Sequence, residues 1–245
     1  MNAERVVLVT GGAKGIGKAV VSRFAAAGDR VVAVGRDRAA LETTEAAAAE
    51  VCDVTDEEQV AALFDRVGPV DVLVANAGTA MSASFERTTL DDWQAHLDVN
   101  ATGVFLCARA ALPGMRTRDR GRIVVVASTA GRIGFRYSAA YVASKHAAVG
   151  LMRAVATEVA GTGVTANAVC PTYVRTDMTR RSVARIVAAT GRAETDAEAE
   201  LAASSPLGRL LESDEVAFAV AFLAAAEAGA INGQTLVLDG GGIQG

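Results

Sequence analysis

Lysine is scarce in this 245-residue chain: against 21 arginines there are three, Lys14, Lys18 and Lys145. Where arginine is the default cation, a retained lysine suggests a position that wants a compact ammonium instead. Cysteine is sparse as well. Cys52, Cys107 and Cys170 are odd in number and widely spaced, which argues against a disulfide framework or a paired metal-ligand spacing and points to a reducing compartment. Aromatic residues make up 4% of the chain, so no ring-stacking pocket stands out. The net charge is −4 with no long run of one sign, and no concentrated basic face is offered to nucleic acid. The longest apolar run, Val216 to Ala226, is too short to span a bilayer. The N-terminus passes straight into Arg5-Val-Val-Leu-Val-Thr10, leaving no room for a signal peptide. These absences predict a soluble, cytoplasmic protein with neither a membrane nor a nucleic-acid partner.

What the chain has in quantity is apolar residues, 51% of the total, enough for one large α/β unit with a substantial core. Runs rich in Val, Ile and Leu at 5–10, 30–34, 50–52, 71–75, 122–127, 164–169 and 234–238 read as strands buried on both faces. Helical patterns near 15–27, 56–67, 91–112, 139–160 and 214–226 fall between them, and Thr55-Asp-Glu-Glu58 reads as a capping box. An Ala-rich stretch at 38–50 reads as a short helix giving onto the third strand. Repeated β-then-α order predicts a single α/β domain, 1–245, built on a doubly wound parallel sheet of about seven strands. The polar segment 175–209, rich in Arg, Ala and Glu, breaks the alternation in the manner of a functional excursion.

The first strand leads into Thr10-Gly11-Gly12-Ala13-Lys14-Gly15-Ile16-Gly17, and a helix follows. Glycines let a backbone turn sharply and approach a ligand closely, and a helix N-terminus offers N–H groups to a pyrophosphate. The spacing of Gly11, Gly15 and Gly17 is G-x-x-x-G-x-G rather than G-x-G-x-x-G. Its position after the first strand is the context that dinucleotide binding requires. At the end of the second strand stands Val34-Gly35-Arg36-Asp37. NAD binding usually puts a carboxylate there, whereas the 2′-phosphate of NADP(H) needs a cation. Gly35 takes the carboxylate position, and Arg36 and Lys14 lie where a 2′-phosphate would. The expected cofactor is NADP(H). NAD(H) is the alternative if Asp37 takes the ribose.

Tyr141 and Lys145 are four residues apart on one predicted helix face, with Ser128 thirteen residues upstream. An ammonium beside a phenol favours the phenolate, and a phenol so tuned can exchange a proton near neutral pH. Alone, the pair reads more readily as a partly buried tyrosine beside a solvated amine than as a catalytic pair.

Taken in order, the motifs resemble the short-chain dehydrogenase/reductase family from about residue 5 to the C-terminus. They are the glycine turn, Asp53-Val54, Asn76-Ala77-Gly78, Asn100, Ser128 and Tyr141-x-x-x-Lys145. Cys170-Pro171 with Val174 and Thr176 follows, and Asp239-Gly240-Gly241 closes the series. The resemblance implies a Rossmann-like fold and a set of residue roles. Tyr141 would protonate a carbonyl oxygen, and Lys145 would lower the Tyr141 pKa and hold the nicotinamide ribose. Ser128 would bind the carbonyl, and Asn100 would hold a water linking Lys145 to solvent. Asp53 and Val54 would contact the adenine. Gly11, Lys14, Gly15, Ile16, Gly17, Arg36, Asn76, Gly78, Pro171, Val174 and Thr176 would complete the cofactor site. No metal is implied.

Two departures stand out: Thr172 replaces the glycine that usually follows Pro171, and Ala75-Asn76 replaces a double asparagine. Within the family the chain is most similar to 3-oxoacyl ketoreductases of fatty-acid and polyketide synthesis and to 3-hydroxyacyl-CoA dehydrogenases. That implies a carbonyl substrate, either carried on CoA or an acyl carrier protein or, as the alternative, a free small-molecule carbonyl, a sugar or a steroid, with 175–209 as its lid. Arg175, Arg180, Arg181 and Arg185 would then be near a phosphate, and Arg116, Arg118, Arg120 and Arg122 near a carrier. The resemblance also implies a homotetramer or homodimer built on the helices at 91–112 and 139–160. A non-catalytic NADP(H) sensor is disfavoured by the intact proton-relay residues.

Overall fold

A computed structural model describes residues 4–244; residues 1–3 and 245 of the expected 1–245 unit lie outside them. The strands are Val6–Thr10 (β1), Arg30–Gly35 (β2), Ala48–Val51 (β3), Val72–Ala75 (β4), Gly121–Val126 (β5), Val164–Pro171 (β6) and Thr235–Leu238 (β7). They form one parallel sheet in the order β3-β2-β1-β4-β5-β6-β7. Successive side chains in a strand face opposite ways. Val7 and Val9 therefore join Val20, Phe24, Val216 and Val220 on one side of the sheet, while Leu8 joins Leu63, Met115 and Met152 on the other. Burial on both faces is why these strands read as continuous apolar runs.

The helices on the first face are Gly15–Ala26 (α1) and the late helix Ser213–Ala224, and on the second Glu57–Val67, Gly103–Thr117 and Ala139–Glu158. Numbered along the chain, Arg38–Leu41 is α2, Glu57–Val67 α3, Leu90–Leu97 α4, Gly103–Thr117 α5 and Ala139–Glu158 α6. Asp177–Thr190 is α7, Glu194–Ala202 α8 and Ser213–Ala224 α9. The expected helix at 91–112 is thus α4 and α5, joined by a π turn at Asp98–Thr102. The excursion at 175–209 folds as α7 and α8, separated by a left-handed Gly191 at φ 70°.

Two local expectations need correction. The third strand begins at Ala48, not 50, while the short helix expected within 38–50 is Arg38–Leu41. Ala48 and Ala49 pair with Val32 and Ala33, so sheet pairing overrides the helical preference of alanine. The cap of α3 is Asp56, whose carboxylate accepts from the Gln59 N–H at 3.0 Å. The Thr55 hydroxyl is turned away and donates to Asp53 Oδ1 at 2.8 Å.

Strand order reverses between β1 and β4, and parallel α/β sheets bind ligands in the crevice outside the strand ends at such a reversal. All three cysteines are buried. Burial pushes Cys52 up to about 11 and Cys107 up to about 12, and raises Cys170 as well. Among the described residues no helix is long and apolar enough to cross a membrane.

Candidate active site

The crevice is framed first by the glycine turn between β1 and α1. Gly11 and Gly15 hold φ of 65° and 52°, in the left-handed region that favours glycine. A methyl group on Gly17 would lie 2.1 Å from the Gly11 carbonyl oxygen, so α1 meets the turn at a distance only glycine permits. Lys14 caps α1 without a side-chain hydrogen bond and no acid sits in its first turn. The helix therefore presents its first N–H groups and its positive dipole end to an incoming anion. These features fit the pyrophosphate of a nicotinamide dinucleotide.

The far wall is tied to this turn by Thr10 and Asn76. The Thr10 hydroxyl accepts from the N–H groups of Asn76 and Ala77, each at 3.0 Å. The Asn76 side chain donates to Thr10 O at 2.9 Å and Gly11 O at 3.2 Å. Beyond β2, Arg36 Nη1 is 3.8 Å from Asp53 and Lys14 Nζ 3.6 Å from Asp37. Both pairs are solvent-exposed and weak, so the cations are available to another anion. Asp37 is already engaged as the cap of α2, accepting from the Ala40 N–H at 3.1 Å. Val54 is buried beneath Gly103 of α5.

Ser128 follows β5, and Tyr141 and Lys145 lie on the first turns of α6. Ser128 Oγ accepts from the Ala130 N–H at 3.1 Å, and its side chain is hydrogen-bonded to Tyr141. Lys145 Nζ lies 5.9 Å from the centroid of the Tyr141 ring and donates to Val126 O at 3.0 Å. Burial pushes the Tyr141 phenol up, and the Ser128 hydrogen bond opposes it. Burial also pulls the Lys145 ammonium down to about 8. The helical spacing predicts a Tyr141 pKa lowered by Lys145; here the phenol is raised instead, because its desolvation outweighs the Ser128 hydrogen bond.

Asn100 sits in the π turn with both of its amide protons used. Oδ1 accepts from the Thr79 N–H at 2.9 Å, while Nδ2 donates to Thr79 O at 3.0 Å and Ser144 Oγ at 2.9 Å. Gly78 passes close to this group: a methyl there would lie 3.2 Å from Asn100 Oδ1 and 3.6 Å from Lys145 Nζ.

Together these elements enclose a cleft of about 290 Å³. Gly11, Lys14, Gly15 and Ile16 line it, as do Asn76 and Gly78, and Ser128, Tyr141 and Lys145 line it together. Pro171, Val174 and Thr176 line the side beneath α7. Gly17 and Asn100 lie just behind this lining, and Arg36, Asp53 and Val54 stand beyond it at the ends of β2 and β3. Arg181 lines the cleft, and Arg185 donates to Ala80 O at 3.4 Å. Arg175 instead pairs with Glu198 and Glu212, and Arg180 with Asp177. Arg116, Arg118, Arg120 and Arg122 lie at the opposite end of β5. They bond to Glu158, to Val70 O and Asp71, to Asp71, and to main-chain carbonyls such as Ala225 O, respectively.

Sequence reasoning missed part of the lining. The loop Thr79–Ser82 walls the cleft beside Phe135, Ser138 and Tyr173. Nothing in its composition marks it, although it directly follows the Asn76-Ala77-Gly78 motif. His96 was missed too; its only signal was its position one helical turn before Asn100.

A sequence profile described as short chain dehydrogenase matches residues 5–186. The chain is 38% identical to an acetoacetyl-CoA reductase of Shinella zoogloeoides, over 97% of this chain and 98% of the relative. It is 39% identical to a cis-4-hydroxycyclohexanecarboxylate dehydrogenase of Sinomonas cyclohexanicum, over 98% and 96% of the two chains. In structure it is similar to a single-residue variant of the actinorhodin polyketide ketoreductase solved with NADPH. That match has a TM-score of 0.91 and 36% identity and covers 98% of each chain.

Proposed function

The chain belongs to the short-chain dehydrogenase family of NAD(P)-binding oxidoreductases acting on the CH–OH/C=O couple, and from that we propose an NADPH-dependent reductase of 3-oxoacyl thioesters or polyketide-like ketones. The observation that carries the reading is the convergence of Ser128, Tyr141 and Lys145 on one cleft that also receives the glycine turn.

When bound, the dinucleotide supplies the hydride. Gly11, Gly15, Ile16 and Gly17 would hold its pyrophosphate at the N-terminus of α1, and Asn76, Gly78, Pro171, Val174 and Thr176 would hold its nicotinamide half. Arg36 and Lys14 favour the 2′-phosphate, since charge-assisted hydrogen bonds are stronger than neutral ones. Asp53 and Val54 form the adenine end. Ser128 orients the carbonyl oxygen, and Tyr141 delivers its phenolic proton to that oxygen. A phenol pushed up by burial is protonated at neutral pH, the state that reduction requires. Lys145 returns the proton to Tyr141 and binds the ribose hydroxyls, and Asn100 holds the water that connects it to solvent.

The chain acts as one nucleotide-binding domain. Residues 175–209 form its substrate lid, which is supported by the contact of Arg185 with the opposite wall. The identity of the relatives supports a thioester on CoA or a carrier protein. Self-association into a tetramer or dimer through α4, α5 and α6 is expected, and sedimentation at micromolar concentration tests it.

Initial rates with NADPH and NADH over 3-oxoacyl thioesters, cyclic ketones, quinones and sugars test the reading. Highest kcat/KM is expected for NADPH with a 3-oxoacyl thioester. A preference for NADH by about tenfold, or for a sugar over every thioester, overturns it.

A further inference from the structure

The loop that walls the cleft beside Tyr141 is fastened from beneath at alternate residues. Thr79 is bound through both main-chain groups to Asn100. The Met81 N–H donates to His96 Nε2 at 2.9 Å, and the Ala83 N–H donates to Tyr137 O at 2.9 Å. Tyr137 holds φ 61°, a conformation that costs a bulky residue free energy and persists only where surrounding contacts enforce it.

The middle fastening is the informative one. His96 is 1% exposed and lies on the last turn of α4, four residues before Asn100. Residues at that spacing share a helix face, so both reach the same loop. The second ring nitrogen of His96, Nδ1, lies 2.6 Å from Asp92 O. A carbonyl oxygen only accepts and a main-chain N–H only donates. Nδ1 must therefore carry the proton and Nε2 the lone pair, which fixes a neutral imidazole in one tautomer. The same ring meets Tyr141 edge-on, with centroids 6.3 Å apart and planes at 74°, a favourable aromatic geometry. A side cavity of about 70 Å³ lies against His96 and shares Met81, Ser82 and Ser138 with the main cleft.

We propose that His96 is a positioning residue for carbonyl reduction. By holding the Met81 main chain and the edge of the Tyr141 ring at once, it sets the substrate wall and the proton donor at one relative geometry. An aliphatic side chain of similar size fills the same space but leaves the Met81 N–H without an acceptor. This inference rests on the reductase reading for its effect on rate, and on the two hydrogen bonds alone for its effect on the loop.

The test compares His96→Leu with His96→Gln, whose amide oxygen still accepts from the Met81 N–H. In His96→Leu, kcat/KM for acetoacetyl-CoA with NADPH should fall about tenfold or more, with NADPH affinity unchanged. Hydrogen exchange at the Met81 amide should accelerate about tenfold or more, because its protecting acceptor is gone. His96→Gln should restore both. Unchanged Met81 exchange in His96→Leu, or kcat/KM within about twofold of wild type, overturns the proposal. If His96→Leu does not fold, His96→Gln decides: slow Met81 exchange with near-native kcat/KM supports the proposal, and loss of either overturns it. If wild-type protein does not reduce acetoacetyl-CoA, the thioester reading fails, and the Met81 exchange rates alone decide the role of His96.

Discussion

Lys145 spends a hydrogen bond on Val126: its Nζ donates to the carbonyl oxygen of that β5 residue at 3.0 Å. The ammonium is thereby anchored to the sheet and not to the phenol on its own helix. It is also nearly buried, which pulls it down to about 8 from 10.5. Below pH 8 the amine is charged in both folded and unfolded chains, and the folded state bears the full cost of burying it. Between pH 8 and 10.5 only the unfolded chain holds the proton, so stability attributable to this group rises with pH. Relative to Lys145→Met, the wild-type protein should gain on the order of 3 kcal/mol across that window. Urea unfolding of both proteins at several pH values checks this, and a difference that stays constant rejects it.

Tyr141→Phe should lower turnover by about 10²–10⁴-fold, the usual contribution of a positioned acid or base. NADPH binding, followed by fluorescence titration, should be little changed. Because the wild-type phenol is pushed up, oxidation of an alcohol product should accelerate as pH rises and the phenolate forms, while reduction should not. A variant with wild-type kcat removes Tyr141 from the mechanism.

Arg36→Ser should cost NADPH about 10–100-fold in kcat/KM, the range set by one or two charged hydrogen bonds, while NADH is nearly unaffected. Equal losses for the two cofactors would mean that Arg36 acts on the loop and not on the 2′-phosphate.

Thr10→Val removes the acceptor shared by the N–H groups of Asn76 and Ala77. Each orphaned donor should cost about 1–3 kcal/mol, and Thr10→Ser should retain most of the stability. Urea midpoints of the three proteins provide the measurement; a valine variant as stable as wild type would show that the two amides find other partners.

Much of this architecture could be read from the chain, and the exceptions share a cause. The β1 run and the glycine turn were legible because burial on both faces and a sharp turn each leave a composition of their own. Ala48 and Ala49 were left out of the third strand because their strand state comes from pairing with Val32 and Ala33, which are distant in sequence. Thr55 and Asp56 are both good caps, and only the carboxylate of Asp53, two residues earlier, draws the threonine away. The pKa of Tyr141 followed the same rule: spacing gives its neighbour on the helix but not how dry the site is. His96 had no motif because its partners, the Asp92 carbonyl and the Met81 amide, are main-chain groups that every residue possesses.

The burial of Cys52, Cys107 and Cys170 has a practical consequence for observing the enzyme at work. Thiolate is the species that reacts with maleimides and iodoacetamides, and thiols this inaccessible and this weakly acidic will be silent toward such reagents in the folded state. A single cysteine introduced on the outer surface of α8 could then take a fluorophore or spin label selectively, without first stripping the native thiols from the core. Any movement of the excursion between β6 and α9 can thus be followed in otherwise unaltered protein.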